Sequence, residues 1–156
     1  MPSLHTDVTV ADALITASRA LVAVAARSIA AINDDVTLPQ YRAMIVLATH
    51  GSQTVGQLAD ALNIHPSTAT RLCDRLVAKS LVLRQQDEDN RRETNITLAD
   101  SGRKIVDGVT AFRREEIARI VGRIPVGLRE PMISALTAFA EAAGEIPEQS
   151  WSLGWS

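Results

Sequence analysis

Hydroxyl and guanidinium side chains are concentrated in one short segment of the chain, 66–79. The polar positions on one side of that segment are Ser67, Thr68, Thr70, Arg71, Asp74 and Arg75. Ser and Thr near a helix N-terminus can hydrogen-bond to phosphates or base edges, and an Arg guanidinium can donate two hydrogen bonds to O6 and N7 of guanine. The segment therefore predicts binding to duplex nucleic acid.

A helix must present these side chains, and the apolar spacing predicts one over 66–79. Its buried stripe is Ala69, Leu72, Cys73 and Leu76, at i, i+3, i+4 and i+7. Pro66 suits the first helical position. A preceding short helix begins at Thr54, which with Gln57 has the pattern of a capping box, and it ends at Asn63, which tolerates a left-handed backbone. Two short helices joined by a few residues predict a helix-turn-helix.

A β-hairpin is predicted after the second helix because the apolar period changes to two. Leu81 and Leu83 are expected on one face of the first strand, and Thr94, Ile96 and Leu98 on one face of the second. The connection 87–92 is charged and rich in turn-forming residues. A hairpin that follows a helix-turn-helix is a wing, and the predicted DNA-binding lobe therefore covers 37–100.

Long helices are predicted on both sides of this lobe. Apolar residues recur at helical spacing over 8–32, 101–122 and 126–143, and a shorter helix follows Pro39. The first helix is apolar around most of its circumference, so it needs cover on more than one side. The fold class is mainly α with a small β-hairpin. The tail, 147–156, carries Trp151 and Trp155 and is predicted to be irregular.

Composition limits the class of protein. The 156 residues suit one domain, and the formal net charge is -2. Residues 63–104 are +2 and the remainder is -4, so the positive charge lies in the predicted lobe. One cysteine excludes an internal disulfide and favours a cytoplasmic address. No secretory signal is recognisable, and no apolar stretch is expected to reach the roughly 18 residues of a membrane span.

No catalytic, metal or cofactor site is predicted. The three histidines, His5, His50 and His65, are far apart, and the chain has no glycine-rich phosphate loop or nucleophile elbow. The protein is therefore not expected to be an enzyme. Cys73 lies on the buried stripe and is interpreted as a small core residue, with peroxide sensing as the alternative.

The order of these elements resembles the MarR family of bacterial transcriptional regulators. The residues that carry the resemblance are 67–76, then Leu81-Val82-Leu83-Arg84, then Asp89-Asn90-Arg91-Arg92, which is similar to the family's Asp-x-Arg wing signature. The resemblance covers the chain from the first long helix to about Ala143. Two positions depart from the family pattern: Ser80 replaces a helix-ending Gly, and Ala99 replaces a capping Thr for which Asp100 or Ser101 could substitute.

The resemblance implies a homodimer, formed by 8–36 and 101–146, that binds a roughly palindromic double-stranded operator. The recognition helix would enter the major groove, and Arg91 would reach the minor groove or its phosphates while Asp89 braces the wing by pairing with an Arg. The predicted DNA-binding residues are Thr54, His65, Pro66, Ser67, Thr68, Thr70, Arg71, Arg75, Arg84, Asp89, Arg91 and Arg92. His65 is either a turn residue or a phosphate contact.

The resemblance also implies a pocket for a small aromatic or phenolic effector, and Tyr41 and Arg42 are its predicted lining residues. The function predicted is a transcriptional regulator, more specifically a repressor that an effector releases from DNA, with no membrane partner. The alternative is a winged-helix module that binds another protein and not DNA, for which the net negative charge is no handicap.

Overall fold

The computed structural model describes residues 4–147, with side chains from Thr9 onward, and this part of the chain is mainly α-helical. The elements in chain order are α1 (Leu4–Ile32), α2 (Leu38–His50), β1 (Gln53–Thr54), α3 (Val55–Leu62), α4 (Pro66–Ala78), β2 (Val82–Gln86), β3 (Thr94–Leu98), α5 (Asp100–Val121) and α6 (Val126–Ala142). The predicted fold class is confirmed. Trp151 and Trp155 lie outside the described residues.

Capping boxes start two of the lobe helices. Thr54 Oγ1 accepts a hydrogen bond from Gln57 N at 3.1 Å, and Gln57 Oε1 accepts one from Thr54 N at 2.9 Å, so the capping box predicted for α3 is confirmed. Thr37 and Gln40 make the same exchange at the start of α2, with Pro39 in its first turn. Ala99, which precedes α5, makes no side-chain cap, and neither Asp100 nor Ser101 replaces it.

The hairpin belongs to a three-stranded antiparallel sheet in the order β1-β3-β2. Val82 pairs with Leu98 and Gln86 with Thr94, while the unpredicted strand β1 pairs Gln53 with Ile96. The prediction that Leu81 and Leu83 share one face of the first strand is wrong, because β2 begins at Val82, which is buried, while Leu83 is 49% exposed. Leu81, although buried, still belongs to the turn that ends α4, so the strand alternation begins one residue later than expected.

One hydrophobic core joins the lobe to α5. Met44, Leu58, Leu76 and Ile96 are fully buried, and Val106 of α5 belongs to the same cluster. Helix α5 also packs along α1, where Val24 and Ile29 are buried and Arg27 pairs with Glu116 at 3.3 Å. Because the core is continuous, the lobe is held directly on the base of the long helix α5.

The apolar surfaces of α1 and α6 are largely uncovered within the chain. No residue of α6 is buried, and Leu136 and Phe139 are about half exposed. In α1, Val10, Ile15 and Val22 are similarly exposed.

One helix, Thr9–Ile32, has the length and composition of a membrane span, with 24 residues. The expectation that no segment would qualify is therefore wrong. Alanines fill the gaps between the larger apolar residues of this helix and make the apolar stretch longer than it looks.

Candidate nucleic-acid interface

Helix α4 separates its residues into a buried side and a solvent side. All four residues of the predicted stripe are buried, with Ala69, Cys73 and Leu76 at 0% exposure. The polar residues are all exposed: Ser67, Thr68, Thr70, Arg71, Asp74 and Arg75. The packing of the stripe therefore fixes the rotation of α4 and turns six polar side chains toward solvent.

The N-terminus of α4 is capped by His65. Its Nδ1 accepts a hydrogen bond from Ser67 N at 3.2 Å and lies 2.8 Å from Ser67 Oγ. This places His65 as the N-cap residue, consistent with the turn interpretation, and leaves Nε2 as the ring nitrogen without a role in the cap. Thr70 Oγ1 donates to Pro66 O at 3.0 Å, so its oxygen can still accept a hydrogen bond.

The turn between α3 and α4 depends on a left-handed residue. Asn63 has φ 52°, its N–H donates to Asp60 O at 3.1 Å, and Ile64 N donates to Ala59 O at 3.0 Å. This paired pattern closes the end of α3 and confirms the role predicted for Asn63. The predicted contact Thr54 is half-buried at the start of α3, where its hydroxyl oxygen accepts the capping bond.

The same pattern ends α4. Ser80 has φ 59° and donates to Val77 O at 2.9 Å, while Leu81 N donates to Leu76 O at 3.0 Å. A left-handed Ser costs roughly 1 kcal/mol relative to Gly, so Ser80 bears this strain where the family pattern has a Gly. Lys79, the last residue before the turn, contacts Gln40 Oε1 at 3.1 Å and Asp35 Oδ2 at 3.3 Å, which ties α4 to the start of α2.

An ion pair links α4 to the first wing strand. The Arg84 guanidinium on β2 binds the carboxylate of Asp74 on α4, and both side chains are more than a third exposed. Arg71 and Arg75, by contrast, make no ion pair with any residue that the structure describes. Arg84 therefore differs from the two helix arginines, although the sequence placed all three in the DNA-binding set.

The tip of the wing is organised by Asp87, not by Asp89. Asp87 Oδ1 accepts hydrogen bonds from Asp89 N at 2.8 Å and Asn90 N at 3.2 Å, and its Oδ2 accepts one from Asn95 Nδ2 at 3.2 Å. The two backbone donors, and then the Asn95 amide, hold the pKa of this carboxyl below its ordinary value. The carboxylate of Asp89 makes no ion pair within residues 4–147, so its predicted role as the brace is wrong.

The arginines at the wing tip are presented to solvent. Arg91 and Arg92 are exposed, and neither makes a salt bridge to a residue in the described range. The backbone N–H of Arg92 donates to Asn90 Oδ1 at 3.3 Å, which fixes the turn on which both side chains stand. The tip can therefore offer two unpaired cations to an anionic surface beside α4.

Cys73 lies inside the lobe, as the sequence predicts. Its side chain is buried on the inner side of α4, and burial raises the pKa of the thiol above its ordinary value while the nearby Arg84 charge opposes that shift. A neutral, enclosed thiol is a poor nucleophile. Among the residues that the structure describes, no three His, Cys, Asp or Glu side chains are grouped so that they could hold a metal ion.

A cavity of about 440 Å³ opens between α2 and α5. Its lining residues are Tyr41, Ile45, Thr49, Thr110, Arg113, Arg114, Ile117, Glu145 and Ile146. Of the two predicted effector residues, Tyr41 lines this cavity, whereas Arg42 is exposed and does not. Two of the lining residues, Arg113 and Arg114, come from a part of α5 in which the sequence predicted no functional residue.

Comparisons with known proteins agree with this geometry. The model of the MarR family matches residues 36–94. The HTH-type transcriptional repressor MdtR of Bacillus subtilis is 31% identical over 116 residues, 73% of each chain. The crystal structure of RV1404 from Mycobacterium tuberculosis is 42% identical, covers 94% of this chain and 99% of that one, and gives a TM-score of 0.87.

A further solved structure is MepR, a transcription regulator of the Staphylococcus aureus multidrug efflux pump MepA. It is 25% identical, with 83% of this chain and 95% of that one covered and a TM-score of 0.69. With 94% of this chain covered, the likeness to RV1404 extends beyond the lobe to the long helices at both ends.

Proposed function

The chain belongs to the MarR family of DNA-binding transcriptional regulators, and on that premise we propose that it is a homodimeric repressor released from its operator by a small effector. Helix α4 enters the major groove and the wing reaches the adjacent minor groove. The observation that carries this proposal is the division of α4 into a buried stripe and an exposed polar side.

The proposed contacts fall into two groups. Ser67, Thr68 and Thr70 hydrogen-bond to phosphates or base edges near the start of α4, while Arg71 and Arg75 extend the contact along the groove. Arg91 and Arg92 place positive charge at the minor groove. Three further residues, Thr54, His65 and Pro66, lie at helix N-termini, where the helix dipole favours a phosphate.

A second copy of the chain covers α1 and α6 in this proposal. The exposed apolar residues of these helices mark a surface that suits a protein partner, and no residue of α6 is buried within its own chain. Residues 8–36 and 101–146 supply the dimer interface, and 37–100 supply the DNA-binding lobe. The assembly works in the cytoplasm, and its α1 helices pack against protein rather than lipid.

Repression and its release are proposed from two observations. The relative MdtR is named a repressor, and the cavity between α2 and α5 lies between the lobe and the long helices. Its apolar Ile45 and Ile117 suit an aromatic body, and Arg113 and Arg114 suit an ionised phenol or carboxylate. Such an effector releases DNA if it binds better to a lobe spacing that does not match the operator.

The proposal is tested by electrophoretic mobility shift with the DNA upstream of the protein's own gene at two salt concentrations. A retarded band that resists non-specific competitor and weakens steeply with salt is expected, because phosphate contacts release counterions. The Arg71→Ala variant is expected to lose the band at the higher salt first. Absence of any shifted band at either salt contradicts DNA binding and supports the protein-interaction alternative.

A further inference from the structure

Arg84 is set apart from the other arginines of the interface by its partner. Arg84 is the second residue after Val82 in β2, so the two side chains lie on the same side of the strand. Val82 is buried in the core. The Arg84 side chain reaches Asp74 on α4, and the pair joins the helix that faces DNA to the strand that leads to the wing.

Asp74 is an acidic residue on the solvent side of α4, where phosphates would lie. It follows Arg71 by one helical turn and precedes Arg75, and its side chain is 53% exposed. A carboxylate in this position repels the DNA backbone unless a cation neutralises it, since like charges brought together across an interface weaken binding. Within the described part of the chain, its only ion pair is with Arg84.

We propose that Arg84 is a positioning residue that acts on DNA through Asp74. It neutralises the Asp74 carboxylate and holds the base of the wing against α4. It does not itself bind a phosphate. The proposal rests on the proposed function, because the charge of Asp74 affects binding only if α4 faces DNA.

Pairing of Arg84 with Asp74 and direct contact of Arg84 with a phosphate predict different results in a double-mutant cycle. If Arg84 contacts a phosphate independently, removal of the Asp74 charge improves affinity by the same factor whether or not Arg84 is present. If the two side chains act as a pair, the factor depends on Arg84. Loss of Asp74 then brings no gain in the wild-type background, where it breaks the brace, and a clear gain when Arg84 is already missing.

The experiment compares the wild-type protein with D74N, R84Q and the D74N/R84Q double variant on one fluorescent duplex selected by the wild type from a random pool. Fluorescence anisotropy is expected to show about tenfold weaker binding for R84Q, and recovery of at least about threefold when D74N is added. D74N alone is expected to bind no more tightly than the wild type. Urea unfolding checks that all four remain folded, as expected from the exposure of both side chains.

A matched cycle uses Arg91→Gln in place of R84Q, because Arg91 lies at the wing tip and has no pairing with Asp74. In that cycle D74N is expected to change affinity by the same factor in both backgrounds. The inference is overturned if the Arg84 cycle is equally additive, or if R84Q binds as tightly as the wild type. A wild-type protein that binds no duplex overturns the proposed function as well, so the two failures are distinguishable.

Discussion

Gly102 approaches the carbonyl oxygen of Leu81 so closely that a Cβ at this position would lie 2.3 Å from it. The same Cβ would lie 2.7 Å from Leu98 Cδ1. Leu81 O also accepts a hydrogen bond from Ala99 N at 3.0 Å, so the carbonyl is fixed from two sides. This contact sets the start of α5 directly against the turn that ends α4, and thereby fixes the lobe on the long helix.

Gly102→Ala is expected to lower the free energy of unfolding by about 1–3 kcal/mol, because the backbone atoms that meet the new methyl group must shift. Urea denaturation measures this change. Gly127→Ala is the matched control, since nothing lies within 4 Å of its added Cβ. The control should unfold at the wild-type urea concentration or slightly above it. Equal stability of the two variants would show that the close approach is not a constraint.

The wing contact is tested by Arg91→Ala. If Arg91 neutralises one phosphate, the plot of log affinity against log salt should become less steep by about one unit, and binding to any duplex should weaken. Arg123→Ala removes an equal charge at an exposed position beyond the end of α5 and should leave the slope unchanged. An unaltered slope for Arg91→Ala would exclude the proposed phosphate contact at the wing tip.

The dimer interface is tested by Phe139→Glu on α6. A buried, unpaired carboxylate is costly, so the variant should shift toward the monomer in sedimentation velocity and bind operator DNA more weakly. Leu83→Glu places the same charge on an exposed leucine of the wing strand and should remain dimeric. Dimerisation of Phe139→Glu at the wild-type strength would remove α6 from the interface.

The pH response of the wing follows from the lowered pKa of Asp87. The ionised carboxylate accepts the hydrogen bonds of the turn, so its contribution is complete above the ordinary Asp value of about 3.9 and is lost as the pH falls through the lower folded value. In NMR titrations the Asp89 and Asn90 amide shifts should move together below that ordinary value. Their movement at or above it would contradict the geometry of the tip.

Periodic apolar patterns were sufficient to predict the orientation of α4. The four stripe residues are buried and the six polar residues are exposed because a helix rotates each residue by a fixed angle, and only one rotation covers the stripe. The same reasoning gave the caps at Thr54 and Asn63. These features depend only on residues within one or two helical turns, so they can be predicted from the sequence alone.

The errors lie where local pattern does not decide the structure. Strand β2 begins at Val82 and not at Leu81, because the left-handed Ser80 and the following Leu81 both belong to the end of α4. In a run of acids, the sequence does not show which carboxylate closes the turn, and it is Asp87 and not Asp89. The two-residue strand β1 is too short for a pattern, and it pairs with β3, where Gln53 meets the distant Ile96.

The ion pair of Arg84 illustrates a second limit. The spacing of Asp74 and Arg84 crosses a helix end and a turn, so their contact depends on the angle between α4 and β2 and not on any periodicity. Arg113 and Arg114 enter the cavity for a similar reason, because α5 meets α2 only through the tertiary packing. The sequence therefore predicted that the basic residues of the interface are exposed, but not which of them pair with an acid of the same chain.

The central claim is that two copies of α4 face DNA together across a twofold axis. Selection of bound duplexes from a random pool by the wild-type protein tests this most directly. The expected result is an inverted repeat whose half-sites are centred about 10 bp apart, or a multiple of that spacing. Enrichment of a single unrepeated site, or of no sequence at all, would contradict the paired arrangement.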